Sequence, residues 1–155
     1  MLPKIILVPT DFSDPSNDAL AYAKPLAETI KASIHVLHAV ENPLSEPWAL
    51  EASGTALDDV LADLKAHGRE QLEKAMPPAD REKYRAELII AVGSPFKEIL
   101  DYATAHHVDL IVMGTHGRGA LAHAVFGSVA ERVVRLAPCP VLTVRHGKEE
   151  VSVAA

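Results

Sequence analysis

The sequence predicts an α/β protein built on an open parallel β-sheet, and three observations predict it. Five short β-type runs recur along the chain: Ile5–Val8, Ile34–Val40, Ala86–Val92, Leu110–Met113 and Val141–Val144. Ile5–Val8, Leu110–Met113 and Val141–Val144 are nearly continuous in apolar residues, as strands covered on both faces are. Helical stretches lie between the runs, and that alternation implies βαβ units with right-handed crossovers.

The elements follow in order. The first helix is expected from Ser13, a good N-cap, with Pro15 in its first turn. Ala19, Ala23, Leu26, Ala27 and Ile30 give it a small apolar face, and Pro25 inside it predicts a bend rather than an end. Pro43–Ser53, which holds the single tryptophan Trp48, reads as a long connection. A second helix carries Leu57, Val60, Leu61, Leu64 and Leu72 roughly in phase, and Pro77-Pro78 stops it. Ser94-Pro95 opens a third helix, with Ile99, Leu100 and Ala103 inward. A fourth begins near Ser128 and ends before Pro138. No repeat, linker or low-complexity segment divides the chain. One domain over residues 1–146 and a flexible tail over 147–155 are expected.

Composition narrows the function. A chain of 155 residues with 48% hydrophobic and 23% charged residues has the makings of a folded core. A formal net charge of -6 argues against nonspecific nucleic-acid binding, which needs a basic footprint. It also means that a polyphosphate would need local donors or a metal ion. No apolar run approaches the ~18 residues of a membrane span. Met1-Leu2-Pro3-Lys4 lacks a signal-peptide layout, so the expected location is cytoplasmic. The single cysteine, Cys139, lies between two prolines with no base near it in sequence, and reads as structural.

Chemistry concentrates after the fourth run. Gly114-Thr115-His116-Gly117 is followed, after nine intervening residues, by Gly127-Ser128, which lead into the last helix. Backbone amides approach an anion closely where no Cβ intervenes, and a helix N-terminus adds free N–H groups and positive dipole. Phosphate is the natural guest of such a loop. The spacing is neither Walker A nor G-x-G-x-x-G. Asp11, after the first run, falls where open α/β sheets bind ligands if strands one and four flank the crevice. It suits a ribose hydroxyl, a metal-bound water or the cap of the next helix. Arg118 suits phosphate, a carboxylate on a partner chain, or solvent. Of the eight histidines, His35 and His38 fall on opposite faces of one strand and cannot share a metal ion. His106-His107 closes a helix. His116, inside the loop, can touch phosphate. The carboxylates Asp58, Asp59, Asp63, Glu70 and Glu73 read as a solvated helix face.

These motifs resemble the universal stress protein family over nearly the whole length, Ile5 to Arg145. The anchors are Ile6-Leu7-Val8-Pro9-Thr10-Asp11-Phe12-Ser13, Met113-Gly114-Thr115-His116-Gly117-Arg118-Gly119, Gly127-Ser128-Val129 and Ala137-Pro138-Cys139-Pro140-Val141-Leu142-Thr143-Val144. The spacing G-x2-G-x9-G-S is that of the family's ATP-binding branch. The resemblance implies a five-stranded parallel sheet of order 3-2-1-4-5 with helices on both faces, Rossmann-like and similar to adenine nucleotide alpha hydrolases. It implies a homodimer through strand 141–144. It implies that Pro9, Thr10, Asp11 and the main chain near Val40 hold the adenosine part of ATP, AMP or another adenine nucleotide. Met113, Gly114, Gly117, Arg118, Gly127, Ser128 and Val129 would surround ribose and phosphates, with Mg²⁺ or Mn²⁺ accompanying a triphosphate. The chain departs from the family at Pro25 and at Phe12, which stands where glycine is frequent.

The expected function is therefore that of an ATP-binding regulatory protein of the stress response, working by occupancy and homodimerisation. A slow ATPase or phosphotransferase using Asp11, His116 or Arg118 is the alternative, and a nucleotide-free dimeric interaction protein is the third.

Overall fold

A computed structural model describes residues 1–47, 54–116 and 126–147. Trp48, Gly117, Arg118, Gly119 and the expected tail beyond Gly147 lie outside the described residues. The strands are β1 (Ile5–Pro9), β2 (Ser33–Val40), β3 (Glu87–Val92), β4 (Leu110–Gly114) and β5 (Val141–Val144). The helices are α1 (Asp14–Ile30), α2 (Gly54–Ala75), α3 (Pro78–Lys83), α4 (Pro95–Ala105) and α5 (Ser128–Leu136), with a 3₁₀ turn at Pro43–Ser45. The strands form one parallel sheet of order β3-β2-β1-β4-β5. β1 pairs with β2 from Ile5↔Ser33 to Pro9↔Leu37, and with β4 at Ile6↔Leu110 and Leu7↔Ile111.

Alternation along the strands sorts the core into two layers. Ile6, Val8, Ile34, Val36 and Val112 pack against Ala19, Leu20 and Ala23 of α1 and Leu72 of α2. Leu7, Leu37, Ile111 and Met113 point the other way, onto Ile99 and Ala103 of α4 and Ala130 and Val133 of α5. Buried on both sides, β1 can carry no polar position between Ile6 and Val8, which is why its sequence is an unbroken apolar run. Truncating a fully buried leucine such as Leu7 to alanine would cost about 2–5 kcal/mol.

Local chemistry sets the helix ends. Ser13 is the N-cap of α1 in extended backbone, and Pro15 enters the first turn. The helix runs on through Pro25. Ala21 and Pro25 are both exposed, so the carbonyl that loses its amide partner can bond to water instead. α1 ends on Lys31 in the left-handed region (φ 58°), with the Lys31 amide bonded to the Ala27 carbonyl.

Two features differ from the sequence expectation. Pro77-Pro78 ends α2 but also starts α3, because a proline in the first helical turn has no amide to lose there. Val60 and Leu64 are 39% and 42% exposed, so the apolar stripe of α2 is buried only at Leu57 and Leu72. Among the described residues no helix is long and apolar enough to cross a membrane.

Cys139 is half-buried, and burial and the charge of Asp109 push its thiol up, away from the thiolate a nucleophile needs. His35, on the α4 side of the sheet, shares a 2.9 Å hydrogen bond between Nδ1 and the Tyr102 hydroxyl. Burial lowers its pKa from the ordinary 6.5, the Glu87 charge opposes that and His106 adds to it. Burial and Glu87 push Tyr102 up to about 12, so its hydroxyl stays neutral. The unfolded chain therefore binds the His35 proton first as pH falls. The ring's contribution is complete above about pH 6.5 and declines below it. His35→Gln should flatten the fall in melting temperature between pH 7 and 5.5, and identical slopes in both proteins would contradict this placement of the charge.

Candidate functional site

The carboxyl ends of β1, β2 and β4 open onto a cavity of about 600 Å³, in the size range of small-molecule sites. It lies where strand order turns, since the chain leaves β1 for β2 and β3 on one side and returns to β4 on the other. Pro9, Thr10 and Asp11 line it from the end of β1, and Ser16 from α1. Leu37, His38, Ala39 and Glu41 come from β2 and its exit. Met113, Gly114 and His116 come from β4 and its exit, and Gly127, Ser128 and Val129 from the start of α5.

Thr115 builds the junction between β4 and α5. It is 2% exposed, its amide donates to the Val144 carbonyl (3.1 Å), and its carbonyl accepts from the Gly127 amide (2.6 Å). Both ends of the intervening loop are thus tied to one buried residue. Its hydroxyl and His116 Nδ1 lie 2.9 Å apart. The tie fixes the start of α5 beside the end of β4. Gly127, the N-cap, lies in extended backbone (φ -71°, ψ 162°), and no side chain caps the helix. The amides of Ser128, Val129 and Ala130 precede the first intrahelical bond, so they and the helix dipole face the cavity rim without an intrahelical acceptor.

Gly114 has a different reason from the one the loop chemistry suggests. A Cβ there would meet the Pro15 carbonyl carbon and oxygen at 2.8 Å. The glycine lets the first turn of α1 sit directly on the end of β4, which is a packing constraint at the floor of the cavity.

The turn between β1 and α1 is a polar knot. The Ser13 amide donates to Asp11 Oδ1 (3.0 Å), and the Ser13 hydroxyl donates to the same oxygen. The Phe12 amide donates to Thr10 Oγ1 (3.0 Å), and Thr10 Oγ1 lies 3.1 Å from Ser16 Oγ. Phe12 has φ 63°, the left-handed region that a non-glycine residue occupies at a cost of about 1–3 kcal/mol. That conformation is what makes glycine suitable at this place. Phe12 packs against the α1–α2 core layer and lies 4.5 Å from the His38 ring, centroid to centroid.

Of the residues singled out in the sequence, Pro9, Thr10, Asp11, Met113, Gly114, Gly127, Ser128 and Val129 line one cavity. Gly117 and Arg118 lie outside the described residues. Val40 does not line it: its side chain is buried and its carbonyl accepts from the Gly93 amide (2.9 Å). Its neighbours Ala39 and Glu41 are at the wall, so the main chain near Val40 runs beside the cavity. His38, Thr115 and Ser16 were missed. Thr115 carried a signal, a small hydroxyl residue continuing an apolar strand into a glycine loop.

Gly114→Ala should lower stability by about 1–3 kcal/mol, the scale of forced overpacking, and reduce the melting temperature by roughly 2–4 °C per kcal/mol. An unchanged melting curve would mean that the α1–β4 approach yields without cost.

Comparison with known proteins agrees with this geometry. The model described as the universal stress protein family matches residues 3–145. Universal stress protein MJ0531 of Methanocaldococcus jannaschii is 35% identical over 147 residues, 95% of this chain and 85% of that protein. The structure of universal stress protein UspA from Lactobacillus plantarum matches with a TM-score of 0.79 at 29% identity, over 92% of this chain and 97% of that one. A universal stress protein solved in complex with cAMP matches with a TM-score of 0.67 at 25% identity, over 93% and 98% of the two chains. The sheet order, the crevice at its turning point and the match over nearly the full length place the chain in the universal stress protein family.

Proposed function

We propose that the chain is an ATP-binding regulatory protein of this family that acts by nucleotide occupancy. The observation that carries the reading is the cavity itself. It has about the volume for a nucleotide, the amide-rich start of α5 stands at one wall, and Asp11 stands at another. Phosphates suit the first wall, because uncapped N–H groups and helix dipole favour negative charge. A ribose hydroxyl suits Asp11, whose Oδ1 is held by the Ser13 amide and hydroxyl. The exit of β2 at Ala39, one residue before Val40, suits the base. The relative solved with cAMP supports an adenine nucleotide in a fold of this kind. The G-x2-G-x9-G-S spacing supports ATP among those nucleotides, with Gly117 and Arg118 completing the phosphate loop.

Mg²⁺ or Mn²⁺ fits a triphosphate here. Asp11 and Glu41 place negative charge at the cavity of a chain whose net charge is -6, and a divalent ion offsets the repulsion. No three His, Cys, Asp or Glu side chains among the described residues group closely enough to hold an ion, so phosphate oxygens would supply part of its shell.

Binding to the folded state alone stabilises it. At one hundred times Kd the gain is about 2.7 kcal/mol, roughly 5–10 °C in melting temperature for a domain of this size. Millimolar Mg-ATP should raise the melting temperature by that amount and Gly117→Val should abolish the rise; an unmoved wild-type curve would count against nucleotide binding.

Homodimerisation is proposed through β5. This strand is the sheet's edge, and all four of its residues are half-buried rather than covered. Strand-to-strand addition would complete the ladder and remove an open edge. Light scattering should give twice the chain mass of 16.6 kDa, and a proline placed in β5 should return the protein to monomer; a wild-type monomer would end this proposal.

A further inference from the structure

We propose that His38 is a positioning residue for the nucleotide, setting the Pro9–Asp11 turn through a single hydrogen bond. The inference rests on the nucleotide reading above and goes beyond it, because His38 belongs to none of the motifs that suggest that reading.

The ring is held on three sides. Its Nδ1 is 2.9 Å from the Thr10 carbonyl oxygen. A carbonyl only accepts, so Nδ1 carries the proton and donates. The opposite edge of the ring rests on α2 at Gly68: a Cβ at that glycine would stand 2.9 Å from His38 Cδ2 and 3.5 Å from Nε2. A side chain larger than hydrogen at 68 would push the ring toward Thr10. Phe12, strained into the left-handed region, packs against the ring with centroids 4.5 Å apart. Nδ1 is spent on Thr10 and the Cδ2–Nε2 edge lies toward Gly68, so the ring's donor serves the backbone rather than a ligand. His38 therefore acts on the ligand through the backbone it holds.

That backbone is the one the site uses. The Thr10 amide donates to the Leu37 carbonyl (2.8 Å), so the strand pairing of β1 with β2 ends there. One residue later the chain must turn out of the sheet toward Asp11. A carbonyl at the end of a ladder has no strand partner waiting for it, and His38 supplies a side-chain donor in its place. The donor comes from β2, the strand that also supplies Ala39 and Glu41 to the cavity. The His38–Thr10 bond thus locks the two strand ends at a fixed separation across the mouth of the site. The pattern also accounts for a histidine among the β2 residues that face the α1–α2 layer, where Ile34, Val36 and Val40 are apolar. A strand residue facing the α1–α2 layer would normally be Val or Ile, and neither could satisfy Thr10.

The test uses replacements that separate donor from shape. In His38→Asn the side-chain amide nitrogen takes the place of Nδ1 and can donate to Thr10. His38→Phe keeps a ring but no donor. Mg-ATP binding is measured by calorimetry at a temperature where melting curves show all variants folded. His38→Phe is expected to bind about fivefold or more weakly, the worth of one hydrogen bond, and His38→Asn to stay within about twofold of wild type. Gly68→Ala, on α2 and outside the cavity lining, is expected to weaken binding as well. Equal affinities for Asn and Phe, or wild-type affinity in Phe, would overturn the proposal.

A ligand-free arm keeps the two readings apart. Nitrogen-15 spectra of the free protein should show Nδ1 protonated at pH 9, and the amide shifts of Asp11 and Phe12 should move in His38→Phe and return in His38→Asn. If wild type binds no Mg-ATP, the functional reading fails while these spectra still decide the role of His38. A bare Nδ1 at pH 9, or unmoved Asp11 and Phe12 amides, would overturn that role.

Discussion

Everything in this molecule follows from β1 being paired on both sides, to β2 along Ile5–Pro9 and to β4 at Ile6 and Leu7. A strand in that position is covered by helices above and below, so Ile6, Leu7 and Val8 are all fully buried. Right-handed crossovers then send α1 and α2 to one face and α4 and α5 to the other. Because the chain turns away from β1 in opposite directions, the carboxyl ends of β1 and β4 open onto a crevice, with the first turn of α1 at its floor. The cavity is the gap that this topology leaves.

The gap is shaped by contacts that serve packing first. Gly114 lets Pro15 approach the end of β4, and Thr115 ties the exits of β4 and β5 to the start of α5. Phe12 accepts a left-handed backbone to turn the chain from β1 into α1 while keeping its ring against His38. Each arrangement costs something, in strain or in lost conformational choice, and the buried layers on either side over-determine it. The outcome is a pocket with amides at one wall and carboxylates at another, held by rigid elements. Such a pocket suits binding that reports occupancy. Two histidines of β2 are committed to the fold in the same way, His35 to Tyr102 and His38 to Thr10.

The fold was largely legible because buried parallel strands leave an apolar signature that helices do not share. Strand order was not legible from periodicity, which cannot say where β4 inserts; it came with the family resemblance and the structure bears it out. α3 escaped because a proline pair stops one helix and starts another equally well. Val60 and Leu64 followed a helical period yet face outward, since periodicity shows that a face exists and not what covers it. At the site, the glycine loop and Asp11 were visible as residue types. His38 was hidden because its partner is a backbone carbonyl, and no side-chain pattern marks that.

The proposed function stands on phosphate binding at the first turn of α5. Amide nitrogen-15 and proton shifts across the whole chain, followed while Mg-ATP is added, test it directly. The largest displacements are expected at Ser128, Val129 and Ala130, accompanied by Thr10 and Asp11 and by the Ala39–Glu41 stretch. Saturating displacements confined to any other surface, with the α5 amides unmoved, would contradict it.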